Sequence, residues 1–284
     1  MTAIVGSVLV RNEDVFVEQA IRNVVSFCDR IHAVDHVSED GTWEILRALA
    51  REYNHLDVHR SRNSVDAHRL LEPYAGTATW VLGVDGDELY DPTGLARLRA
   101  DLLDGAHGDV FRLKSHVLNC DGLDEAAGTA SGWLAPPSRP VTKLFNFAAV
   151  EAWTNSPDPL QSGDVVFKDG HHWESRRDLA DETTWETDPL RCLHVCFLRR
   201  SSGDVAVTTR RNLDESREFD RGPVGTLKRF VRRSRPAPHI VALGRQGKDW
   251  KREWYARGER VTVDASPFLK RGATGTVPMS RSEG

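Results

Sequence analysis

Residues 80–88 read Trp-Val-Leu-Gly-Val-Asp-Gly-Asp-Glu, an apolar run that ends in three carboxylates, Asp85, Asp87 and Glu88. A short apolar run bounded by an acidic turn predicts a buried strand. Carboxylates directly after a strand end lie close to one point, and Gly86 allows another group to approach the backbone. Mg²⁺ and Mn²⁺ prefer such oxygen ligands and complete their shell with water and phosphate. The stretch therefore predicts a divalent-metal site, with an acidic turn as the alternative.

Strands and helices alternate over the first hundred residues. Buried-type strands are predicted at residues 3–10, 30–35, 56–59 and 78–84. Apolar residues at helical spacing follow the first two strands, and we expect Asp14 and Asp40 to cap the starts of these helices. This order predicts an α/β fold with a mostly parallel central sheet and helices on both faces. Ligands of such sheets bind beyond the carboxyl ends of the strands, where the polar clusters of this chain would meet.

Composition places the chain among ordinary globular proteins. It has 284 residues, of which 39% are hydrophobic and 28% charged. No apolar run approaches the roughly 18 residues of a membrane span, and the N-terminal residues lack the basic flank and cleavage site of a signal peptide. The four cysteines form no disulfide-scaffold pattern in a chain of this length. We therefore expect a reduced, cytoplasmic protein.

Charge is distributed unevenly along the chain. Residues 225–260 contain eleven Lys or Arg against three Asp or Glu, although the net charge of the whole chain is −4. We expect this stretch to contact an anionic surface, such as a phosphorylated acceptor or the inner face of a membrane. A pair of solvated helices is the alternative. Aromatic residues are too sparse there to favour a nucleic-acid partner.

Three motifs occur in order along the first ninety residues. They are Val-Leu-Val-Arg-Asn-Glu at 8–13, Ala-Val-Asp-His-Val-Ser-Glu-Asp-Gly-Thr at 33–42, and the acidic stretch at 80–88. As a set they resemble the nucleotide-binding half of family 2 glycosyltransferases, which have the Rossmann-like GT-A fold, over residues 3–100. The second motif departs from the family at His36 and Val37, where an aspartate and a small residue are usual.

The resemblance implies transfer of a sugar from a nucleotide-diphosphate donor, UDP-linked or similar, to a hydroxyl of a saccharide or another acceptor, with inversion at the anomeric carbon. A divalent ion, Mn²⁺ or Mg²⁺, would neutralise the charge that develops on the diphosphate. Asp87 matches the metal ligand of the family, and Asp85 matches the acid that contacts the ribose or a metal-bound water. Glu88 is expected to brace the loop. The residues assigned to the donor are Val10, Arg11, Asn12, Glu13, Asp35, Asn63, Asp85 and Gly86.

The resemblance also divides the chain. Residues 1–105 would form the nucleotide-sugar-binding half of one GT-A domain, 106–200 its acceptor-binding half, 201–270 a basic helical C-terminal extension, and 271–284 a disordered tail. The family commonly has a basic or amide residue facing the donor near residues 62–69. The candidates for it are Arg62, Asn63, His68 and Arg69.

The acceptor half carries the residues expected to bind the acceptor and remove its proton. It contains four tryptophans, Trp133, Trp153, Trp173 and Trp185. Their rings would either stack on the C–H faces of a sugar or close the core. An inverting transfer needs a carboxylate within hydrogen-bond reach of the acceptor hydroxyl. Glu151, which follows a predicted strand, is the first candidate base, and Asp169 is the second.

Cys192, His194 and Cys196 alternate onto one face of a predicted strand. Residues two apart on a strand lie roughly 6.5 Å apart, so three in a row do not easily converge on one zinc ion. Many GT-A enzymes bring a late histidine back to the metal or the diphosphate. The resemblance gives that role to His194, which Arg199 and Arg200 follow, and a buried structural histidine is the alternative.

Two other functions stay open on the sequence. A nucleotidyltransferase shares the doubly wound sheet and the metal carboxylates, but it normally has a Gly-rich basic loop after its first strand, which residues 10–13 do not form. A non-catalytic module would keep the nucleotide-sugar pocket and lose the base.

Overall fold

The first four strands of the chain lie side by side and run in the same direction. The computed structural model describes residues 1–140, 143–156, 159–204 and 249–269. The strands are β1 (Ala3–Val10), β2 (Arg30–Asp35), β3 (Leu56–Arg60), β4 (Thr79–Val84), β5 (Glu88–Tyr90), β6 (Arg112–Lys114), β7 (Val117–Asp124), β8 (Thr129–Ala135), β9 (Lys143–Asn146), β10 (Val150–Thr154), β11 (Asp164–Phe167), β12 (Arg176–Asp178), β13 (Cys192–His194) and β14 (Arg260–Asp264). The α-helices are α1 (Val17–Val24), α2 (Thr42–Glu52), α3 (Val65–Arg69), α4 (Pro92–Leu103) and α5 (Asp249–Tyr255).

The central sheet has the order β12-β6-β9-β4-β1-β2-β3. Its members β4, β1, β2 and β3 are parallel neighbours, whereas β9 runs antiparallel between β4 and β6. Val10 lies opposite Asp35, which itself lies opposite Arg60. Val8 lies opposite Val84, so the four parallel strands end at one edge. The prediction of an α/β fold with a mostly parallel central sheet is confirmed.

Both faces of the parallel strands are covered. Every residue of β4 is buried, and so is every residue of β1 except Ala3. On one face, α1, α2 and α4 pack with Ile4 and Leu82 in one apolar cluster. On the other face, α3 and an aromatic group around Trp153 cover Val5 and its neighbours. Burial on both faces explains why these strands read as continuous apolar runs.

A second sheet has the order β14-β8-β7-β13-β5. Strand β5 begins directly after the Asp-Gly-Asp turn, and β13 pairs with it antiparallel. The described part of the C-terminal extension consists of α5 and β14, so a strand accompanies the expected helix. The extension also reaches α1, where the buried Asn23 amide donates to the backbone carbonyls of Tyr90 and Phe268 at 2.8 and 2.9 Å.

Within the described ranges no helix is long and apolar enough to cross a bilayer. All four cysteines are buried and free, in agreement with the prediction that they form no disulfide. The expected tail at 271–284 and most of the basic stretch, including the four arginines at 229–235, lie outside the described residues.

A buried carboxylate ties the start of β7 to the start of β13. Asp188 accepts hydrogen bonds from the Ser115 hydroxyl, from the backbone N–H and ring Nδ1 of His116 at 2.9 and 2.8 Å, and from the Leu190 backbone at 2.9 Å. Burial alone would raise the pKa of Asp188, but the hydrogen bonds from His116 and Ser115 outweigh it and hold the pKa below its ordinary value.

Asp188→Asn should lower the free energy of unfolding by about 2–3 kcal/mol, because it removes charged hydrogen bonds that no water replaces. A carboxyl with a lower pKa in the folded protein stabilises the fold above its unfolded pKa, and the effect is lost as pH falls through the folded pKa. We expect wild type to lose more stability than Asp188→Asn below about pH 4. Urea unfolding at pH 7 and pH 3 measures both, with the exposed Asp101→Asn as the matched control. If wild type and Asp188→Asn lose the same free energy of unfolding between pH 7 and pH 3, the lowered pKa of Asp188 is contradicted.

Candidate functional site

The loops after β1, β2 and β4 meet at the carboxyl ends of the strands. We call this region the carboxyl edge, which comprises residues 10–14, 35–42 and 85–88. Asn12 N–H donates to Ser38 Oγ at 2.9 Å, and Asn12 Oδ1 accepts from Glu39 N–H at 2.8 Å. Asn12 has φ +54°, a left-handed conformation that Asn adopts more readily than most residues. Arg11 lies 3.7 Å from the Glu39 carboxylate. The first two loops are therefore tied together, as their predicted convergence requires.

Asp35 is fully buried beneath the second loop. Its carboxylate accepts from Ser38 N–H at 3.2 Å and pairs with the Arg60 guanidinium at 3.0 Å. Arg60 also donates to the Ser38 carbonyl at 2.7 Å. These contacts fix the loop, and the contact of Asp35 with the base or ribose of a donor stays a prediction.

Glu88 braces the acidic turn from below. It is fully buried, and its Oε2 accepts from the Asp85 backbone N–H at 3.1 Å and from the Tyr90 hydroxyl at 3.4 Å. Asp85 itself is partly exposed at the rim. The turn is therefore held by its third carboxylate, which is the role that the sequence suggested for Glu88.

Gly86 lies directly against the first loop. A Cβ at this position would come within 2.7 Å of Glu13 Cγ and 3.0 Å of Val10 Cγ1. Contacts this short do not occur between real side chains, so any larger residue would force the two loops apart. Glycine is required because Glu13 and Val10 approach its backbone, whereas the sequence suggested an approaching ligand.

Asp87 and His194 form the centre of the site. They are 2% and 5% exposed, and Asp87 Oδ2 lies 3.6 Å from His194 Nε2. The pairing of β13 with β5 places His194 opposite Glu88, and the Val195 N–H donates to the Asp87 carbonyl at 2.9 Å. His194 thus lies beside the acidic turn, as the resemblance to family 2 glycosyltransferases predicts. Metal binding by Asp87 and His194 stays a prediction.

The tautomer of His194 follows from its neighbour Asn119. Asn119 Nδ2 donates to the Arg139 carbonyl at 3.3 Å and to Ser138 Oγ at 2.9 Å. Because a backbone carbonyl only accepts, the amide nitrogen must face it, and Asn119 Oδ1 must face His194 Nδ1 at 2.8 Å. In the neutral ring Nδ1 therefore carries the proton, and the Nε2 lone pair points toward Asp87. Two acceptors arranged in this way are suited to share a cation.

Residues 199–204, which we call the strap, run from the end of β13 to the carboxyl edge. Arg200 in the strap is 8% exposed, and its guanidinium contacts the Asp87 carboxylate and lies 3.5 Å from Glu13 Oε1. The Arg200 carbonyl accepts from Val15 N–H at 3.1 Å. The guanidinium compensates the charge of these buried carboxylates, and its planar fork also matches the geometry of a phosphate.

The two aspartates that were expected to cap helices also hold the strap. Asp40 accepts from the N–H of Thr42, the first residue of α2, at 3.0 Å, and from the Ser201 hydroxyl at 2.5 Å. Asp14 instead accepts from the Ser202 backbone N–H at 2.6 Å and from the Ser202 hydroxyl. No side-chain bond caps α1, so the prediction for Asp14 is wrong because the strap uses its carboxylate.

The chain that follows β9 leads away from the carboxyl edge. Strand β9 runs antiparallel to β4, with Asn146 opposite Trp80, so it ends near the amino ends of the parallel strands. There the Phe147 carbonyl accepts from Gly76 N–H at 3.0 Å. The hairpin of β10 and β11 therefore starts at the edge opposite to Asp87.

This path places both candidate bases away from the acidic turn. Glu151 is exposed at the start of β10, and Asp169 is exposed beside Lys168, whose ammonium donates to the Gly76 carbonyl at 3.2 Å. The length of β4, with a rise of about 3.3 Å per residue, separates the two carboxylates from Asp87. The role of Glu151 and Asp169 as bases stays a prediction, and this separation gives it no support.

The basic and amide candidates after β3 have structural partners. Asn63 Oδ1 accepts from the backbone N–H at the start of α3 at 3.2 Å, and its contact with a donor stays a prediction. His68 is fully buried, and its Nε2 lies 3.0 Å from the Trp153 carbonyl, so it belongs to the core. Arg62 and Arg69 are exposed.

The tryptophans of the acceptor half pack into the protein. Trp153 is fully buried, with Trp173 edge-on against it at 5.5 Å between ring centroids, and Trp185 is 6% exposed. Trp133 is half-buried beside a phenylalanine. Among the residues whose burial is described, Trp254 in α5 is an aromatic side chain that faces solvent, with 47% of it exposed. Of the two alternatives for these rings, the packing of Trp153, Trp173 and Trp185 supports closure of the core.

Asn119 is the residue of the site that sequence reasoning missed entirely. It lies in β7, far along the chain from Asp87, and it is fully buried. A lone Asn in an apolar strand carries no motif. Its importance becomes visible only when β13 aligns with β7, because this pairing places His194 opposite Asn119.

A divalent ion needs oxygen or nitrogen ligands that converge on one point. Among the described residues, no three or more His, Cys, Asp or Glu side chains converge on one point, as a metal site made of protein alone would need. Asp87 and His194 do converge, with one oxygen and one nitrogen. Ions that bind together with a nucleotide commonly use one or two protein ligands and take the others from phosphate and water. The pair fits an ion of that kind.

Several solved structures resemble the chain weakly. TarS of S. aureus aligns with 66% of this chain at 18% identity and a TM-score of 0.38. Glucosyl-3-phosphoglycerate synthase from Mycobacterium tuberculosis, solved with Mn²⁺, UDP and glucosyl-3-phosphoglycerate, aligns with 41% at 18% identity and a TM-score of 0.31. The mannosyltransferase PcManGT from Pyrobaculum calidifontis, solved with GDP-Man and Mn²⁺, aligns with 42% at 20% identity and a TM-score of 0.30.

The chain spans only 38%, 44% and 36% of the lengths of these three structures. No protein-family model and no curated protein matches it. At TM-scores below 0.5 and identities below 25%, the likeness carries no argument of its own.

Gly86→Ala should lower the free energy of unfolding by about 1–3 kcal/mol, because the new methyl group forces Glu13 and Val10 from their positions. Urea unfolding measures the change. Gly108→Ala is the matched control, because a Cβ at Gly108 would meet only the Gly105 carbonyl, at 3.5 Å. Equal stability of Gly86→Ala and wild type would show that the loops do not pack as described.

Proposed function

We propose that this protein is a metal-dependent glycosyltransferase that moves a sugar from a nucleotide-diphosphate donor to an acceptor hydroxyl. The observation that carries the proposal is the pair of Asp87 and His194 at the carboxyl edge, with the Nε2 lone pair of His194 directed at Asp87 by Asn119. The three sequence motifs support the same function. Inversion at the anomeric carbon is part of the proposal because the resemblance is to an inverting family.

In the proposed reaction the acceptor oxygen bonds to the anomeric carbon while the bond from that carbon to the donor diphosphate breaks, and the hydroxyl proton is released. A divalent ion, Mn²⁺ or Mg²⁺, held by Asp87 and His194 would supply positive charge at the leaving diphosphate. Asn119 holds His194 in the tautomer that can bind the ion. Arg200 provides a second positive group beside the same carboxylate.

The nucleotide is proposed to lie across the loops of the carboxyl edge. Asp85, at the rim, would contact the ribose or a metal-bound water. The other residues proposed to frame the donor are Arg11, Asn12, Glu13, Asp35 and Asn63. Because Glu151 and Asp169 lie at the opposite edge, the proposal rests on the donor side of the reaction and assigns no base.

Titration calorimetry with UDP and with GDP, each with and without Mn²⁺, tests the proposal. We expect one of the two to bind in the presence of Mn²⁺ and to be released by EDTA. Asp87→Asn should weaken this binding more than about a hundredfold, beyond the 10–100-fold typical of residues that only orient a metal ligand. Asp101→Asn, an exposed aspartate on α4, should bind like wild type.

Binding of neither nucleotide, or equal binding by Asp87→Asn and wild type, would contradict the proposal. Mn²⁺-dependent binding of a nucleotide sugar without transfer of the sugar to water or to any acceptor would favour a non-catalytic module.

Asn119→Ala should weaken Mn²⁺-dependent nucleotide binding about 10–100-fold, because His194 loses the partner that fixes its tautomer. A higher Mn²⁺ concentration should restore the binding, since the ligands themselves remain. Titrations at several Mn²⁺ concentrations measure this rescue, and thermal unfolding monitors the fold. Weak binding that no Mn²⁺ concentration restores would reduce Asn119 to a purely structural role.

A further inference from the structure

The exposed face of α5 carries an aromatic ring between two guanidinium groups. Trp254 is 47% exposed, and the guanidinium carbons of Arg139 and Arg257 lie 5.6 and 5.3 Å from its ring centroid. We call Arg139, Trp254 and Arg257 the Trp254 patch. Both arginines are exposed, and within the described ranges no carboxylate pairs with either of them. The patch therefore presents two guanidinium groups beside an open apolar ring.

The patch is connected to the proposed metal site through two contacts. The ring of Tyr255, the neighbour of Trp254, packs edge-on against His194 at 5.4 Å between centroids. The Arg139 guanidinium lies 6.0 Å from the Tyr255 ring, and the Arg139 backbone N–H donates to the Trp254 carbonyl at 3.1 Å. The buried Tyr255 ring therefore lies between His194 and the Trp254 patch, so the patch neighbours the proposed metal site.

The loop that carries Arg139 is held by the same residue that orients His194. Asn119 donates to the Arg139 carbonyl and to Ser138 Oγ, while its own oxygen accepts from His194. Because one buried amide holds both, the position of the loop relative to His194 is fixed before any ligand binds. A preformed arrangement of this kind lowers the ordering cost of binding.

The chemistry of the patch selects a class of ligand. A tryptophan face offers an apolar surface to the C–H groups of a sugar ring. Guanidinium groups bind phosphate and carboxylate with paired hydrogen bonds, and Trp and Arg are the residues most enriched where binding energy is concentrated. A neutral sugar would contact the Trp254 ring but would give the two guanidinium groups no anionic group to bind. A sugar that carries an anionic group would use all three side chains.

We infer that the Trp254 patch is the acceptor site and that the acceptor is a saccharide bearing a phosphate or carboxylate group. This inference rests on the proposed function, since it places the accepting hydroxyl near His194. The sugar ring rests on Trp254, and the anionic group binds Arg139 and Arg257.

Calorimetry on the full chain tests the inference with glucose 6-phosphate, glucuronate and glucose as probes. UDP or GDP and Mn²⁺ are kept at saturation, so that the phosphate cannot enter the donor pocket. We expect at least one anionic probe to bind about tenfold or more tightly than glucose, a factor equivalent to about 1.4 kcal/mol. The comparison of glucose 6-phosphate with glucuronate shows whether the patch recognises a phosphate or a carboxylate.

Trp254→Ala and Arg257→Gln should each weaken binding of the anionic probe about tenfold, while Trp254→Phe should keep most of it. Arg97→Gln, an exposed arginine on α4, is the matched charge control and should bind like wild type. Nucleotide binding should be unchanged in all four variants. Among the described residues, Arg257 Nε donates one hydrogen bond, to the Glu253 backbone carbonyl at 2.8 Å, so its replacement breaks no ion pair and tests the patch at an exposed position.

Equal binding of glucose and the anionic probes would overturn the inference, and so would Trp254→Ala and Arg257→Gln variants that bind like wild type. In both cases intact Mn²⁺-dependent nucleotide binding would leave the proposed function standing. Failure of UDP and GDP to bind wild type would instead remove the proposed function, and the acceptor assignment would fall with it.

Discussion

The antiparallel pairing of β13 with β5 is the contact on which the site depends. It places His194 opposite Glu88 and thereby next to Asp87, and it joins the second sheet to the turn at the end of β4. Three residues on each side form this pairing, so its geometry is fixed by backbone hydrogen bonds and not by flexible side chains. The strap continues from β13 and delivers Arg200 to the same carboxylate. One short pairing therefore brings both His194 and Arg200 to Asp87.

Buried charge at the carboxyl edge is compensated within the chain. Arg200 contacts Asp87 and lies beside Glu13, and Arg60 pairs with the fully buried Asp35. Removing carboxylates from water is unfavourable unless a partner of opposite charge and good geometry is present. The arginines meet this condition in the absence of a nucleotide. The loops can therefore keep several acids close together without unfolding, which is the state that a metal and a diphosphate would encounter.

The sequence was informative where structure depends on neighbours along the chain. The strands β1 to β4 and the acidic turn were predicted from local patterns, because burial on both faces produces continuous apolar runs. The path of the chain to Glu151 and Asp169 could not be predicted, because no local pattern reveals that β9 runs antiparallel to β4 and returns the chain to the amino edge. Asp14 was read as a helix cap because the strap that binds it lies nearly two hundred residues away. Contacts between distant segments thus account for this error and for the unpredicted path.

The hydrogen bond from Asn23 to the Phe268 carbonyl joins residues 245 positions apart. Helix α1 is synthesised well before the residues around Phe268, yet those residues supply part of its packing. Contacts between such distant residues form slowly, because the entropy of closing a long loop must be met before the contact contributes. During synthesis the amino-terminal strands leave the ribosome well before the residues that complete their cover, and partly covered apolar surface is prone to aggregate. The packing of α1 can be completed only after the residues around Phe268 have emerged.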